Sequence, residues 1–281
     1  MKKSFPKVMG IINVNNESFY SNSRCLSIES LDSKLQQMLN EGAEIIDIGA
    51  CSTRPGSTSV TLEQEWEYLE KPLQHIKSNY SNLLPDKFTI SIDTFRSEIV
   101  KRSYNILGNF IVNDISAGED DSQMLQCVGE LKLPYIAMHK RGTPSTMQQL
   151  CNYPNGVVNE IINYFKLFEE KCYKYGIKDY ILDPGFGFAK TVEQNYELFI
   201  GMPKIMEEIE KFSGVKRELL VGISRKTMIW KPLNITPDDA LCATTALNLQ
   251  ALMLGANILR VHDVKEAKQC VKIWDLLSLK L

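Results

Sequence analysis

Residues able to do chemistry fall at regular stations along this chain of 281 residues. Eight short apolar runs each end on, or run straight into, polar side chains. Those endings are Asn13, Asp47, Asp93, Asn113-Asp114, His139, Asp183, Ser224-Arg225-Lys226 and Arg260-Val261-His262. One aspartate after a strand is commonly a turn former, but such endings in series describe one shared pocket. Asp93, Asn113 and Asp183, joined by Lys226, form an acceptor-and-amide set. It suits a guest with N–H donors on a planar edge, such as an aminopyrimidinone. Thr53, Arg54, Arg260 and His262, joined by Asn13, form a cationic set suited to phosphate or pyrophosphate. The Asn13 amide oxygen could also meet Mg²⁺ bound to the same phosphates. A pocket with a heterocycle end and a phosphate end implies group transfer with phosphate or pyrophosphate leaving.

The elements that must position these groups follow from periodicity. The β-prone runs are Lys7–Asn13, Glu44–Gly49, Phe88–Asp93, Asn109–Asp114, Pro134–His139, Tyr180–Asp183, Leu219–Ile223 and Asn257–Val261. Helical patterns lie between most of them. Leu31, Leu35, Met38 and Leu39 share a face that stops at Gly42. Thr61 with Gln64, and Thr191 with Gln194, read as capping boxes. Pro72 predicts a kink in the helix that the first of these opens. Ser97 is expected to cap the helix that ends at Gly108. A long amphipathic stretch covers Val157 to Tyr175, a helix capped by Thr236 runs to Gly255, and a last one begins at Val264. The alternation, unbroken by a linker, predicts one α/β domain over residues 1–281. It is a (β/α)₈ TIM barrel with its ligand site at the C-terminal strand ends. An open doubly wound sheet is the alternative.

Composition sets outer bounds. Net charge is −2 with a pI near 6.0, so no global charge argues for nucleic acid or a membrane surface. Seven scattered cysteines without a Cys-x-x-Cys pair suit a reducing, cytoplasmic setting. The apolar run Val8–Ile12 is too short for a membrane span. His75 falls in a helical pattern and reads as structural, whereas His262 beside Arg260 reads as functional. Met9, Met138 and Met147 read as packing, and Lys190 as a surface charge at a helix start.

The same stretches resemble the dihydropteroate synthase family over essentially the whole chain. The matching residues are Met9-Gly-Ile-Ile-Asn-Val14, Asp47-Ile-Gly49 with Ser52-Thr-Arg-Pro-Gly56, Ser91-Ile-Asp-Thr94 and Asn113-Asp-Ile-Ser116. They continue with Met138-His139 with Arg141-Gly142 and Met147-Gln148, Asp183-Pro-Gly-Phe-Gly-Phe188 with Lys190, Ser224-Arg-Lys226 and Arg260-Val-His-Asp263. The resemblance implies condensation of p-aminobenzoate with 6-hydroxymethyl-7,8-dihydropterin pyrophosphate. It implies that Asp93, Asn113, Asp183 and Lys226 hold the pterin. Asn13, Arg54, Arg260 and His262 would hold Mg²⁺ and pyrophosphate, with Asp47 and Thr53 in support. Thr53, Pro55, Phe188, Ser224 and Lys226 would shape the aminobenzoate slot. It further implies a homodimer and a sulfonamide target.

Some residues depart from the family pattern. The first loop reads Asn15-Asn-Glu-Ser-Phe-Tyr-Ser21 and lacks a proline, which should loosen it. Ala50-Cys51 stands where Gly-Glu is usual, with Cys51 read as a small buried filler, and Arg96 stands in place of a lysine. The expectation from these loops is that p-aminobenzoate binds after pyrophosphate. Two rival functions remain at this stage. A corrinoid-type pterin methyltransferase would leave the Ser52–Gly56 and Ser224–Lys226 donors unexplained, and a non-catalytic pterin-binding paralogue is suggested by the altered loops.

Overall fold

A computed structural model describes residues 5–14, 27–50, 60–143 and 146–278. The first loop's residues 15–26, and residues 51–59 with Cys51, Thr53, Arg54 and Pro55, lie outside the described residues. The described chain forms a closed barrel of parallel strands in sequence order, with β1 paired to β8. Its strands are β1 (Lys7–Asn13), β2 (Ile45–Gly49), β3 (Thr89–Asp93) and β4 (Ile111–Asp114). They are followed by β5 (Tyr135–Met138), β6 (Tyr180–Asp183), β7 (Glu218–Val221) and β8 (Ile258–Val261). The helices of the first half are α1 (Ile28–Glu41), α2 (Leu62–Tyr80), α3 (Ser97–Leu107) and α4 (Met124–Leu131). The second half adds α5 (Val157–Tyr175), α6 (Val192–Ser213), α7 (Thr227–Leu233), α8 (Leu241–Met253) and α9 (Val264–Ser278). The closed (β/α)₈ barrel expected from sequence is therefore present, and the open sheet is excluded. No helix among the described residues is long and apolar enough to cross a membrane.

Local chemistry sets most boundaries. Thr61 and Gln64 exchange backbone and side-chain hydrogen bonds at the start of α2, as do Thr191 and Gln194 at the start of α6. Gly42 and Gly176 end their helices in the left-handed region. Two expectations are corrected. Ser97 is the first residue inside α3 rather than its cap; Arg96 occupies the cap position. Ser97's amide is satisfied instead by Asp121 Oδ2 at 2.7 Å. Thr236 opens only a short 3₁₀ turn, Asp238–Ala240, before α8 begins. Helix α2 continues through Pro72, and α4 and α7 are additions that no periodic pattern announced. Both are short, of eight and seven residues, so neither spans enough turns to show a clear apolar stripe.

The barrel interior is layered, and the layers position the site. Strand side chains alternate, one facing the barrel axis and the next the surrounding helices. The axis-facing residues nearer the strand starts are apolar: Met9, Ile45, Ile111, Ile136, Ile181, Leu220 and Ile258 pack as a cluster separate from the outer core. One step toward the strand ends the same alternation delivers Asp47, Asp93, Asn113, Asp183 and Arg260. Pairing register sets Asn13 beside Gly49, Gly49 beside Asp93, and Asp93 beside Asn113. A side chain at Gly49 would place its Cβ 3.2 Å from the Asp93 Cβ, so the glycine leaves room for that carboxylate. The apolar cluster is thus a floor beneath a polar ring.

Ile136 is a fully buried member of that floor. Ile136→Ala is expected to cost about 2–5 kcal/mol in urea denaturation. A loss well under 1 kcal/mol would show that the floor is not tightly packed.

Candidate active site

The centre of the polar ring is one guanidinium held by two carboxylates. Arg260 donates from Nε to Asp47 Oδ2 at 2.7 Å and from Nη2 to Asp93 Oδ2 at 2.7 Å. Asn113 Nδ2 donates to the same Asp47 Oδ2 at 3.0 Å. Burial opposes the charge on Arg260, but Asp47 and Asp93 hold its pKa above the ordinary value. Burial pushes the Asp93 carboxyl up to about 7; Arg260 counters that rise and the neighbouring Asp47 adds to it. Asp47 is fully buried, and its Oδ1 has no hydrogen-bond partner among the described residues. Its Oδ2 therefore orients both Asn113 and Arg260.

This arrangement revises the division into two ends. Arg260 does not stand with the phosphate-binding cations apart from the pterin set; it is bonded directly to Asp93 of that set. His262, grouped with the cations by residue type, is a neutral imidazole. Burial, with repulsion from Arg260 second, lowers it to about 3. Its Nδ1 lies 2.9 Å from Ser224 Oγ, so β7 and β8 are tied where both run into the mouth. Arg225, between Ser224 and Lys226, faces away from the pocket. It is bidentate to Asp263 at 2.9 and 3.0 Å and donates to the carbonyls of Pro237 and Asp238. Asp114 likewise serves its own loop, accepting from Tyr135, Ser116 and Gly118.

The other half of the mouth is built on Asp183-Pro-Gly-Phe-Gly-Phe188. Asp183 is nearly buried and its Oδ1 accepts the Gly185 amide at 2.8 Å. Burial raises the Asp183 pKa, offset chiefly by the charge of Lys226. Lys226 donates to the Phe186 carbonyl at 2.6 Å and its Nζ lies 4.9 Å from the Phe188 ring centre. Burial draws its pKa down to about 8, against the pull of Asp183. Asp183, Lys226 and Phe188 are therefore one assembly, which joins the pterin set and the aminobenzoate slot through Lys226.

Lys190 is the residue that sequence reasoning misplaced. It is buried, at 3% exposure, instead of being a surface charge. Its Nζ donates to the carbonyls of Gly185 and Phe188 at 2.8 and 3.0 Å and lies 3.1 Å from His139 Nδ1. A usable signal was present. A loop with two glycines and few side chains of its own leaves bare carbonyls that need a donor, and Lys190 is the next cation along. His139 is buried behind the pocket, edge-on to Tyr164 at 4.8 Å. His75 is structural, bonded to Asp32 at 2.9 Å, and Met9, Met138 and Met147 are buried packing residues. Arg96 pairs with the buried Glu65 and reaches the Val60 carbonyl, next to the undescribed second loop.

Among the described residues no group of three or more His, Cys, Asp or Glu could hold a metal by itself. Asn13 ends β1 on the register level of Asp93, placing one amide-bearing residue at the rim. A single oxygen ligand of that kind fits Mg²⁺ arriving with phosphates, since Mg²⁺ keeps most of its shell as water and phosphate oxygen.

Comparison with known proteins places this geometry. The family model described as pterin binding enzyme matches residues 9–262. The dihydropteroate synthase of Escherichia coli strain K12 is 35% identical over 96% of this chain and 91% of its own length. That of Synechocystis is 37% identical over 96% of this chain and 89% of its own. The solved structure of Yersinia pestis dihydropteroate synthase with a sulfonamide drug superposes with a TM-score of 0.88 at 31% identity. It covers 99% of this chain and 96% of that one. Xanthomonas albilineans dihydropteroate synthase with 4-aminobenzoic acid gives a TM-score of 0.82 at 28% identity, covering 97% and 93%. With the barrel, the polar ring and the Asp183–Phe188 loop all in place, the chain belongs to the pterin-binding enzymes and, among them, to the dihydropteroate synthase family.

Proposed function

We propose that this protein condenses p-aminobenzoate with 6-hydroxymethyl-7,8-dihydropterin pyrophosphate, giving 7,8-dihydropteroate and pyrophosphate in folate biosynthesis. The observation that carries this reading is the lining of the mouth. Asp183, with Oδ1 taken by Gly185 and no described partner on Oδ2, stands with Lys226 and Asn113 over an apolar floor. A flat heterocycle with an amidine-like edge can lie on that floor while its N–H groups meet Asp183 and its acceptors meet Lys226 and the Asn113 amide. Asp93, beside Asn113, takes a further ring N–H.

In the reaction the C–O bond between the pterin methylene and the pyrophosphate breaks, and the electron pair leaves with pyrophosphate. The arylamine lone pair forms the new C–N bond, and the amine gives up a proton. Asp183 and Asp93 stabilise the electron-poor pterin as positive charge develops on it. Arg260 stands at the junction of the two substrate ends. Neutral His262 offers a hydrogen bond rather than a charge to the leaving group, and Arg54 and Thr53 complete the anion site. Asn13 would hold Mg²⁺ arriving with the phosphates, which would supply charge neutralisation for the leaving pyrophosphate. Phe188, Lys226, Ser224, Thr53 and Pro55 form the slot for p-aminobenzoate, the position a sulfonamide would compete for. The protein works in the cytoplasm as a homodimer on this reading. Supporting the assignment, dihydropteroate synthase structures similar to this chain carry 4-aminobenzoic acid or a sulfonamide drug.

The direct test supplies dihydropterin pyrophosphate and Mg²⁺ and follows pyrophosphate release. Release that depends on p-aminobenzoate is expected; a protein that binds pterin but releases none would be a binding paralogue. Asp183→Asn exchanges an acceptor for a donor, a mismatch of about 1–3 kcal/mol. The expected result is a fall in turnover of about tenfold to a hundredfold with unchanged circular dichroism, and turnover near the parent's would remove Asp183 from the mechanism. Arg260→Ala leaves Asp47 and Asp93 together without their cation. It is expected to weaken an unphosphorylated pterin as well as pyrophosphate in calorimetry. It should also destabilise the fold by about 3–5 kcal/mol. Loss of pyrophosphate binding alone would show that the Asp47–Arg260–Asp93 contact is dispensable to the pterin end.

A further inference from the structure

We propose that Lys190 is a positioning residue for the pterin site, an internal clamp on residues 184–189 whose third bond is set by the His139 imidazole. The proposal rests on the reaction assigned above for its meaning, though not for its geometry. Lys190 is a buried amine whose hydrogen-bond partners among the described residues are two backbone carbonyls and an imidazole, with the charge of Asp183 acting on it without direct contact. Burying an ammonium without a paired carboxylate is costly, so its retention points to what it holds. Burial draws the Lys190 pKa down to about 7, against the pull of Asp183. In its ammonium form it has three donors for three surrounding acceptors, the carbonyls of Gly185 and Phe188 and the Nδ1 of His139.

The acceptor role fixes the imidazole. Burial, then the charges of Lys190 and Arg141, keep His139 well below its ordinary pKa, so it is neutral. Toward the ammonium form of Lys190, Nδ1 is the acceptor, which leaves the proton on Nε2. His139 also holds the loop through its backbone, its amide donating to the Asp183 carbonyl at 3.0 Å. Gly185, at φ +71°, lies against the His139 carbonyl so closely that any Cβ would collide with it.

What the clamp positions is chemical. Gly185 turns its amide onto Asp183 Oδ1 while its carbonyl is held by Lys190, so the peptide groups on both sides of its Cα are held. Between the two clamped carbonyls the Phe186 carbonyl accepts Lys226. Phe188, whose carbonyl is clamped, faces Lys226 with its ring. Lys190 touches neither Asp183 nor Lys226 directly; it holds the Gly185 and Phe188 carbonyls, which flank in the same loop the Gly185 amide and Phe186 carbonyl that orient them.

The test uses the full chain with Lys190→Met, which keeps the stem and removes the donors, and with His139→Leu and His139→Asn. The Asn Oδ1 occupies the place of imidazole Nδ1 and so keeps the acceptor. Amide hydrogen exchange at Gly185 and Phe188, without substrate, is expected to be at least tenfold faster in Lys190→Met and His139→Leu. Exchange in His139→Asn and in the interior of α5 should match the parent. Calorimetry with 6-hydroxymethylpterin is expected to show about a tenfold weaker fit in the first two variants and near-parent affinity in His139→Asn. Parent-like exchange in Lys190→Met would overturn the proposal. If Lys190→Met does not fold, the two His139 variants decide, and equal behaviour of Leu and Asn would overturn the role of the imidazole. The exchange arm needs no ligand, so a parent protein that binds no pterin would sink the assigned reaction while the clamp is still read.

Discussion

The mouth of this barrel depends on one guanidinium shared by two buried carboxylates. Without Arg260, Asp47 and Asp93 would face each other at low dielectric, where like charges repel strongly. With it, the three groups form a rigid bridge from β8 to β2 and β3, and Asn113 of β4 hangs from the same Asp47 oxygen. Four strand ends are thereby locked in relative position by hydrogen bonds that converge on one carboxylate and one cation. The arrangement also has a cost. A carboxyl held near 7 in the folded chain binds a proton that the unfolded chain releases near 4. Stability from Asp93 is therefore full below about 4 and is lost as pH rises toward 7. The polar ring is built for recognition at the expense of stability, and the apolar floor beneath it carries the compensating packing.

That floor and ring come from one sequence rule applied along each strand. Alternation puts an apolar residue toward the axis near the strand start and a polar one near its end, as with Ile45 and Asp47, Ile111 and Asn113, Ile181 and Asp183, and Ile258 and Arg260. The opposite face of the strands is apolar, apart from Asp114 at the end of β4, and packs on the helices. Each short strand can therefore carry one recognition group without opening the outer core.

The barrel was legible because strand and helix periods alternate in order, and Lys7–Asn13 and Tyr180–Asp183 match their strands residue for residue. Ser97 misled because a hydroxyl before an apolar pattern looks like a cap, whereas Asp121, distant in sequence, had already taken its amide. The identities of Asp93, Asn113, Asp183 and Lys226 as mouth residues were legible from strand ends. Their partners were not, since the bond of Arg260 to Asp47 joins residues 213 positions apart. Charge states were equally hidden: His262 looks cationic beside Arg260 in sequence, and it is that neighbour, together with burial, which makes it neutral. Lys190 was misplaced because its position at a helix start was read alone, without the bare carbonyls of the preceding glycine-bearing loop that need a donor.

The central claim is that Asp47, Arg260 and Asp93 form a desolvated unit. The most direct measurement is a carbon-13 titration of the Asp93 carboxyl in the full-length protein without ligand. The account predicts a midpoint pushed up to about 7, moving when Asp47→Asn removes the neighbouring charge. A midpoint near 4, unaffected by that substitution, would describe a solvated and independent carboxylate and would contradict the account.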